Sequence, residues 1–232
     1  HLWTVYSRTR SKNNRGIPTE YTVKQMVEKG IWSHKGYRFC VPMHKPIEKD
    51  EKKFFIPPYL MGLFLGDASL RSQPSNHVFS FSSPNKELPG IIADTMGWTH
   101  KRNSLRNYNW TFYNNGKLIH VEHVLKDYPE LINTYSHTKF IPRDYLDGSI
   151  QQRFELLSGL LDTDGSINPK SGSISYFTTS EQLKTNIVEL CYSLGMTVNV
   201  GMDVRENRRI CFGLKIHCDK ELKATLFKYS PK

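Results

Sequence analysis

Two apolar runs, each closed by an acidic residue, organise the pattern of hydrophobic and polar positions. The first is Leu60-Met61-Gly62-Leu63-Phe64-Leu65-Gly66-Asp67-Ala68, and the second is Leu157-Ser158-Gly159-Leu160-Leu161-Asp162-Thr163-Asp164-Gly165. Each predicts an apolar helix with small residues four apart, Gly62 and Gly66 in one, Gly159 and Thr163 in the other. Small residues at that spacing share a helix face and allow two helix backbones to approach closely. Pro57-Pro58 opens the first run, since a helix tolerates proline in its first turn.

The pattern after each run is also repeated. Helical segments at Lys86 to Met96 and Glu181 to Leu194 end at Gly97 and Gly195, a common way to stop a helix. Strict alternation follows. Val198, Val200, Met202 and Val204 fall on one face, with Thr197, Asn199, Asp203 and Arg205 on the other. After a turn at Glu206-Asn207 the chain returns through Ile210, Phe212, Leu214 and Ile216, opposite Arg209, Cys211, Gly213, Lys215 and His217. In the first half Tyr108, Trp110 and Phe112 alternate with Asn107, Asn109, Thr111 and Tyr113. Such alternation predicts hairpins with one packed and one open face. Helical stretches at Leu118 to Leu131 and Lys220 to Phe227 close the halves. Asp67 and Asp164 stand 97 residues apart, and at that offset Leu70 meets Ile167, Phe79 meets Tyr176, Ser82 meets Thr179 and Ser83 meets Ser180. The expected fold class is therefore α+β, a tandem αββαββα unit over residues 57-147 and 148-232.

Residues 1-56 predict a small β-rich segment. Thr4-Val5-Tyr6 and Tyr37-Arg38-Phe39-Cys40-Val41 have strand composition, and Thr22 to Lys29 predicts a short helix with Val23, Met26 and Val27 on one face. Arg8 to Gly16 is polar and basic, readable as a solvated loop or as a phosphate-contacting arm. Glu48 to Lys53 reads as a solvated connection into the first repeat.

Charge narrows the function. A formal net charge of +10 points to a polyanionic partner, with nucleic acid foremost. The open hairpin faces and their approaches offer Lys101, Arg102, Arg106, Asn107, Asn109, Asn199, Arg205, Arg209 and Lys215 to DNA, and Arg71, Asn168 and Lys170 follow the two motifs. Cys40, Cys191, Cys211 and Cys218 form no C-x-x-C pair, which argues against a zinc ribbon and for thiols of a reducing, intracellular compartment. His120 and His123 have ligand-like spacing but no third partner, so a surface pair is expected. No apolar stretch is long enough to span a membrane. Packed side by side, the two motif helices bring Asp67 and Asp164 together. Paired carboxylates repel in a low dielectric unless a cation neutralises them, and Mg²⁺ (Mn²⁺ as the alternative) suits such oxygen donors.

The two motifs and their repeat resemble LAGLIDADG homing endonucleases of the double-motif, single-chain type, over residues 54 to 228. The stretch Arg153 to Ser166 is especially similar, whereas the first motif ends in Ala68 instead of glycine. The resemblance implies saddle-shaped antiparallel sheets and a monomer that makes a metal-dependent double-strand break in a long DNA site. It implies metal binding by Asp67 and Asp164, not Asp162, whose counterpart in the first motif is Leu65. It implies that Lys139, before Ile141-Pro142, orients the attacking water or stabilises phosphate charge. The corresponding lysine of the second half would fall at Lys228 or Lys232. A cleavage-deficient maturase or repressor-like binder on the same fold is the alternative. His1-Leu2-Trp3-Thr4-Val5 and Gly36 to Ile47 further resemble parts of an intein. With no amino-terminal Cys or Ser, no initiator Met and no terminal His-Asn, the expectation is an intein-derived endonuclease domain that cannot splice itself.

Overall fold

The structure is a computed structural model, and it describes residues 1–7, 18–33, 36–42, 44–73, 77–103, 108–206 and 208–229. The basic stretch Arg8 to Gly16, together with Arg106, Asn107 and Lys232, lies outside the described residues. The chain divides into two compact units, His1–Lys45 and Pro46–Lys232.

In the first unit β1 (Leu2–Ser7) pairs antiparallel with both β2 (Thr19–Thr22) and β5 (Phe39–Cys40), and β3 (Trp32–Ser33) pairs with β4 (Gly36–Tyr37). Between β2 and β3 runs α1 (Val23–Glu28). Thr22 begins it with a reciprocal cap: its side chain accepts from Gln25 N at 3.2 Å, while Gln25 Oε1 accepts from Thr22 N at 2.8 Å. The expected apolar face of this helix does not pack, and Val23 and Val27 remain exposed.

The second unit carries the repeat. Its first half runs α2 (Pro58–Asp67), β6 (Ala68–Ser69), β7 (Ser80–Ser82), α3 (Glu87–Met96), β8 (Thr99–Arg102), β9 (Asn109–Asn114), β10 (Lys117–Leu118) and α4 (Val121–Val124). After α5 (Arg143–Leu146) come α6 (Ile150–Asp164), β11 (Gly165–Ile167), β12 (Ile174–Thr178), α7 (Glu181–Ser193), β13 (Thr197–Asp203), β14 (Cys211–His217) and α8 (Lys220–Leu226). The strand orders β6-β7-β9-β8 and β11-β12-β14-β13 correspond strand for strand, with β10 adding to β9 in the first. A buried core containing Leu63, Phe64, Phe79, Phe112, Leu160, Ile187 and Leu214 is continuous between the halves. Gly97 and Gly195 end α3 and the turn after α7 at φ +69° and +76°, where a side chain would be strained.

Four expectations are corrected. The helix over Leu118 to Leu131 is instead a strand end, the single turn α4 and a 3₁₀ turn at Pro129–Leu131, because Pro129 lacks an N–H and blocks continuation. The constant offset of 97 slips by two residues in the strands. Ala68 pairs with Phe81 and Gly165 with Tyr176, so the structural counterpart of Tyr176 is Phe81 and not Phe79. The apolar face of β13 packs only at Val198. Val200 and Met202 are exposed, because β13 is the outer strand and its far end has no helix over it. Finally, residues 46–56 belong with the repeats rather than with the amino-terminal unit. They form a strap, with Ile47 N on Ser193 O at 2.9 Å and Lys49 Nζ on Asp147 Oδ1 at 2.8 Å. Farther along, Tyr145 Oη donates to Ile56 O at 2.7 Å, and Phe54 stacks on Tyr145. Arg153, wholly buried in α6, ties strap to repeat by donating to Gly148 O at 2.9 Å, Ser193 O at 2.8 Å and Ile47 O.

Candidate metal and nucleic-acid site

The site starts from how close α2 and α6 lie. A Cβ built on Gly62 would fall 2.4 Å from Leu156 O and 2.7 Å from Leu160 N. One on Gly159 would fall 2.1 Å from Tyr59 O, and one on Gly66 would fall 2.0 Å from Thr163 Oγ1. Gly62 thus faces Gly159, and Gly66 faces Thr163. The helices therefore run parallel, and Asp67 and Asp164 arrive side by side at their carboxyl ends. Only glycine fits where backbone meets backbone.

The two aspartates converge without being equivalent. Asp67 is half-buried, with Oδ2 inaccessible, whereas Asp164 is exposed. Asp67 opens into a cavity of about 430 Å³ lined also by Arg71, Ser80, Ser82, Asn109 and Lys139. Asp164 opens into a second cavity of about 250 Å³ with Phe177, Thr178, Thr179 and Cys211. Gly66 and Ser136 border both. Two buried groups sense both carboxylates. Burial lowers the Lys139 ammonium to about 8, while the charges of Asp164 and Asp67 pull it back up. Burial pushes the Tyr176 phenol well above its ordinary value, and Asp164 and Asp67 push it further.

Lys139 is brought to the site, but its three N–H bonds are directed elsewhere than expected. Nζ donates to Phe64 O at 3.2 Å, Gly66 O at 3.1 Å and Ala68 O at 2.9 Å. It caps the carbonyl end of α2, where a cation offsets the helix dipole. From there it acts on the aspartates by charge, and its hydrogen bonds are not free for water or phosphate. Lys228 is not a second copy of it. Its ammonium lies 4.3 Å from the Tyr59 ring centroid, and its backbone N–H donates to Asp162 Oδ2 at 3.3 Å.

Asp162 is tied into the fold by hydrogen bonds. It accepts from Tyr59 Oη at 2.8 Å and from the backbone N–H groups of Lys228 and Tyr229 at 3.3 Å each. This fastens the segment after α8 over the helix pair.

The donor set fits a hard divalent cation. Two carboxylates come together at the ends of two helices, with Asp67 Oδ2 buried, and oxygen donors of this kind suit Mg²⁺ or Mn²⁺. A pair of carboxylate ligands leaves coordination positions for phosphate and water oxygens. Asp67 and Asp164 are the residues that would hold it. His120 and His123 line neither cavity; the His120 ring lies edge-on to His123 and tilted against His77.

The expected DNA-facing residues divide by strand register. Asn199 pairs across the ladder with Lys215, and both are exposed on the open face of the second sheet. Arg205 and Arg209 border a cavity of about 370 Å³ with Arg208 and Thr179, and Arg205 is paired to Asp203 at 2.6 Å. Lys101 and Asn109 lie on the open face of the first sheet. Arg102 does not, because it pairs with Trp110 on the opposite face and its guanidinium stacks on Trp110 and Tyr108. Arg71 stacks on Tyr135 beside the Asp67 cavity. Asn168 and Lys170 form an exposed turn in which Asn168 Oδ1 accepts from Lys170 N and Ser171 N at 3.0 Å each. Sequence reasoning missed Tyr176, Tyr59 and Arg153 as contributors. A tyrosine at a core position of an alternating strand and an arginine within an apolar helix were the available signals.

Residues 151–226 match the family model for a LAGLIDADG-like domain. A replicative DNA helicase DnaB of Mycobacterium intracellulare is 28% identical over 151 residues, which is 65% of this chain but only 21% of that protein. A solved structure of I-DmoI in complex with DNA and Mn is 12% identical, with a TM-score of 0.49 over 75% of this chain and 97% of the other. The homing endonuclease I-WcaI bound to its DNA recognition sequence is 16% identical, with a TM-score of 0.46 over 74% and 79%. Among the described residues no helix is long and apolar enough to cross a membrane.

Proposed function

We propose that this chain, which carries a LAGLIDADG-like domain at residues 151–226 and repeats its course in the first half, is a single-chain homing endonuclease. It hydrolyses one phosphodiester in each strand of a long double-stranded DNA site. The observation that carries this reading is the convergence of Asp67 and Asp164 at the ends of two parallel, glycine-faced helices, each opening to its own cavity.

In this mechanism Asp67 and Asp164 would hold a divalent cation, Mg²⁺ or Mn²⁺, which would neutralise phosphate charge and favour in-line attack by water. The remaining work is done by the chain. The glycine contact between α2 and α6 fixes how far apart the two cavities lie, one for each strand. Lys139, held by three carbonyls, keeps positive charge beneath the Asp67 cavity and offsets the cost of bringing two carboxylates together. The open sheet faces bearing Lys101, Asn109, Asn199 and Lys215 lie along the duplex and read it through backbone and major-groove contacts. Strand register favours these residues over Arg102.

The helicase likeness suggests the locus. This sequence contains no G-x-x-x-x-G-K-[ST] phosphate loop, so it matches a part of that relative other than a nucleotide-binding motor. An intein-type segment carried within a helicase gene accounts for both facts, and the uninterrupted gene is then the target. Plasmid DNA bearing such a gene, incubated with protein and Mg²⁺, is expected to be linearised, and EDTA is expected to stop it. Asp67→Asn and Asp164→Asn are each expected to abolish the double-strand break while retaining most of the binding. Binding without metal-dependent cleavage would instead support the maturase or repressor-like alternative.

A further inference from the structure

The two aspartates sit at corresponding places in a repeat, yet different side chains lie beneath them. Gly165, which follows Asp164, pairs directly with Tyr176 on β12. Tyr176 is wholly buried, its hydroxyl has no hydrogen-bond partner, and the strand pairing sets it beside the end of α6, where the Asp164 charge acts on it. A buried hydroxyl with nothing to bond costs stability, so a tyrosine kept in a core position calls for an acceptor. In the first half Ala68, which follows Asp67, pairs with Phe81, equally buried and lacking the hydroxyl. What the first half has at that end is Lys139, whose ammonium is bonded to the carbonyls of Phe64, Gly66 and Ala68.

We infer that Tyr176 is a positioning residue for Asp164: its hydroxyl donates to the carboxylate, holds it in one orientation, and makes the Asp164 half-site unlike the Asp67 half-site. This rests on the metal-dependent nuclease reading above and adds to it. One carboxylate is steered by a neutral donor below it, the other by a cation bonded to its own helix end. Two half-sites built differently cut their strands at different rates, so a nicked duplex accumulates before the double-strand break.

Tyr176→Phe tests this with little disturbance of packing, because phenylalanine already occupies the equivalent place at Phe81. Three measurements are made on the full chain: thermal unfolding, titration with Mn²⁺ alone in the absence of DNA, and cleavage of duplexes labelled on one strand or the other. A charged group that loses one good hydrogen bond loses about tenfold in the property it supports. The variant is therefore expected to remain folded and to need about tenfold more Mn²⁺ for half-saturation. The ratio of its two strand-cleavage rates is expected to change by a similar factor. If Mn²⁺ half-saturation and strand ratio both stay within about twofold of wild type, a change of less than ~0.5 kcal/mol, the inference is overturned. If the wild type binds Mn²⁺ but cuts no DNA, the nuclease reading falls, and the Mn²⁺ titration alone decides the role of Tyr176. If the wild type binds no Mn²⁺, both fall.

Discussion

Gly159→Ala and Gly90→Ala make the same chemical change and are expected to act with opposite sign. At position 159 the new Cβ would lie 2.1 Å from Tyr59 O and 3.0 Å from Leu63 N, both backbone atoms of α2. A carbon and a carbonyl oxygen in close contact sit about 3.3 Å apart, so the helices must separate by roughly 1 Å. Neither partner can rotate away, which places the cost near the upper end of overpacking, about 3 kcal/mol. For a chain of this size that corresponds to a fall of about 6–12 °C in the unfolding midpoint. At position 90, within α3, the Cβ meets only His100 Cε1 at 4.0 Å. There alanine reduces the freedom of the unfolded chain, and a gain of about 0.5–1 kcal/mol is expected. Differential scanning calorimetry of the two variants beside wild type measures both. Asp67 and Asp164 each lie five residues beyond the glycine contact on their own helices, so Gly159→Ala also displaces one carboxylate from the other and is expected to cut DNA poorly below its unfolding temperature. A Gly159→Ala protein as stable as Gly90→Ala would refute the backbone contact between α2 and α6.

Three further outcomes are expected. Gly66→Ala should destabilise, because its Cβ falls 2.0 Å from Thr163 Oγ1 and 2.5 Å from Thr163 Cβ, and Thr163→Gly should recover at least about half of that loss, since the obstruction is a side chain; strictly additive melting shifts would contradict this facing. Lys139 titrates near 8 in the fold against an ordinary 10.5, so between those values the unfolded chain holds more protons and this group's contribution to stability rises with pH. Urea midpoints from pH 7 to 10 should therefore move in favour of wild type relative to Lys139→Met, and a pH-independent difference would show that the lysine is not buried as described. Asp162→Asn replaces an acceptor of three hydrogen bonds by an amide that must present a donor to one of them, at a cost of about 1–3 kcal/mol. Amide exchange at Lys228 and Tyr229 should accelerate while Mn²⁺ binding is retained, and unchanged exchange at those two positions would refute the fastening.

The legible part of this fold lay in features that repeat locally. Small residues four apart identified the facing sides of α2 and α6, and period-two alternation located β9, β13 and β14. Gly97 and Gly195 marked where α3 and the turn after α7 stop. What escaped depended on contacts between distant segments. Nothing around Lys139 in sequence shows that Phe64, Gly66 and Ala68 would claim its hydrogen bonds. The run Glu48 to Lys53 is charged enough to read as solvated, but Lys49 and Lys52 find Asp147 and Asp144. Alternation assigned Trp110 and Phe112 to the inner face correctly. Register alone, however, decides that Arg102 lies with Trp110 while Lys101 lies with Thr111. The two-residue slip between the halves hid the correspondence of Phe81 and Tyr176 for the same reason, since a constant offset cannot follow a loop of changed length.

The fastening of residues 228 and 229 onto Asp162 also bears on the order in which the helix pair is completed as the chain is made. During synthesis α2 leaves the ribosome long before α6, and neither can bury its glycine face until both are present. Even then Asp162, bonded to Tyr59, lacks two of its donors until Lys228 and Tyr229 emerge and supply their N–H groups. A chain made only as far as α8 therefore lacks two of the bonds that fasten the helix pair bearing the two aspartates. Completion of the fastened helix pair thus waits on backbone donors 66 and 67 positions beyond Asp162.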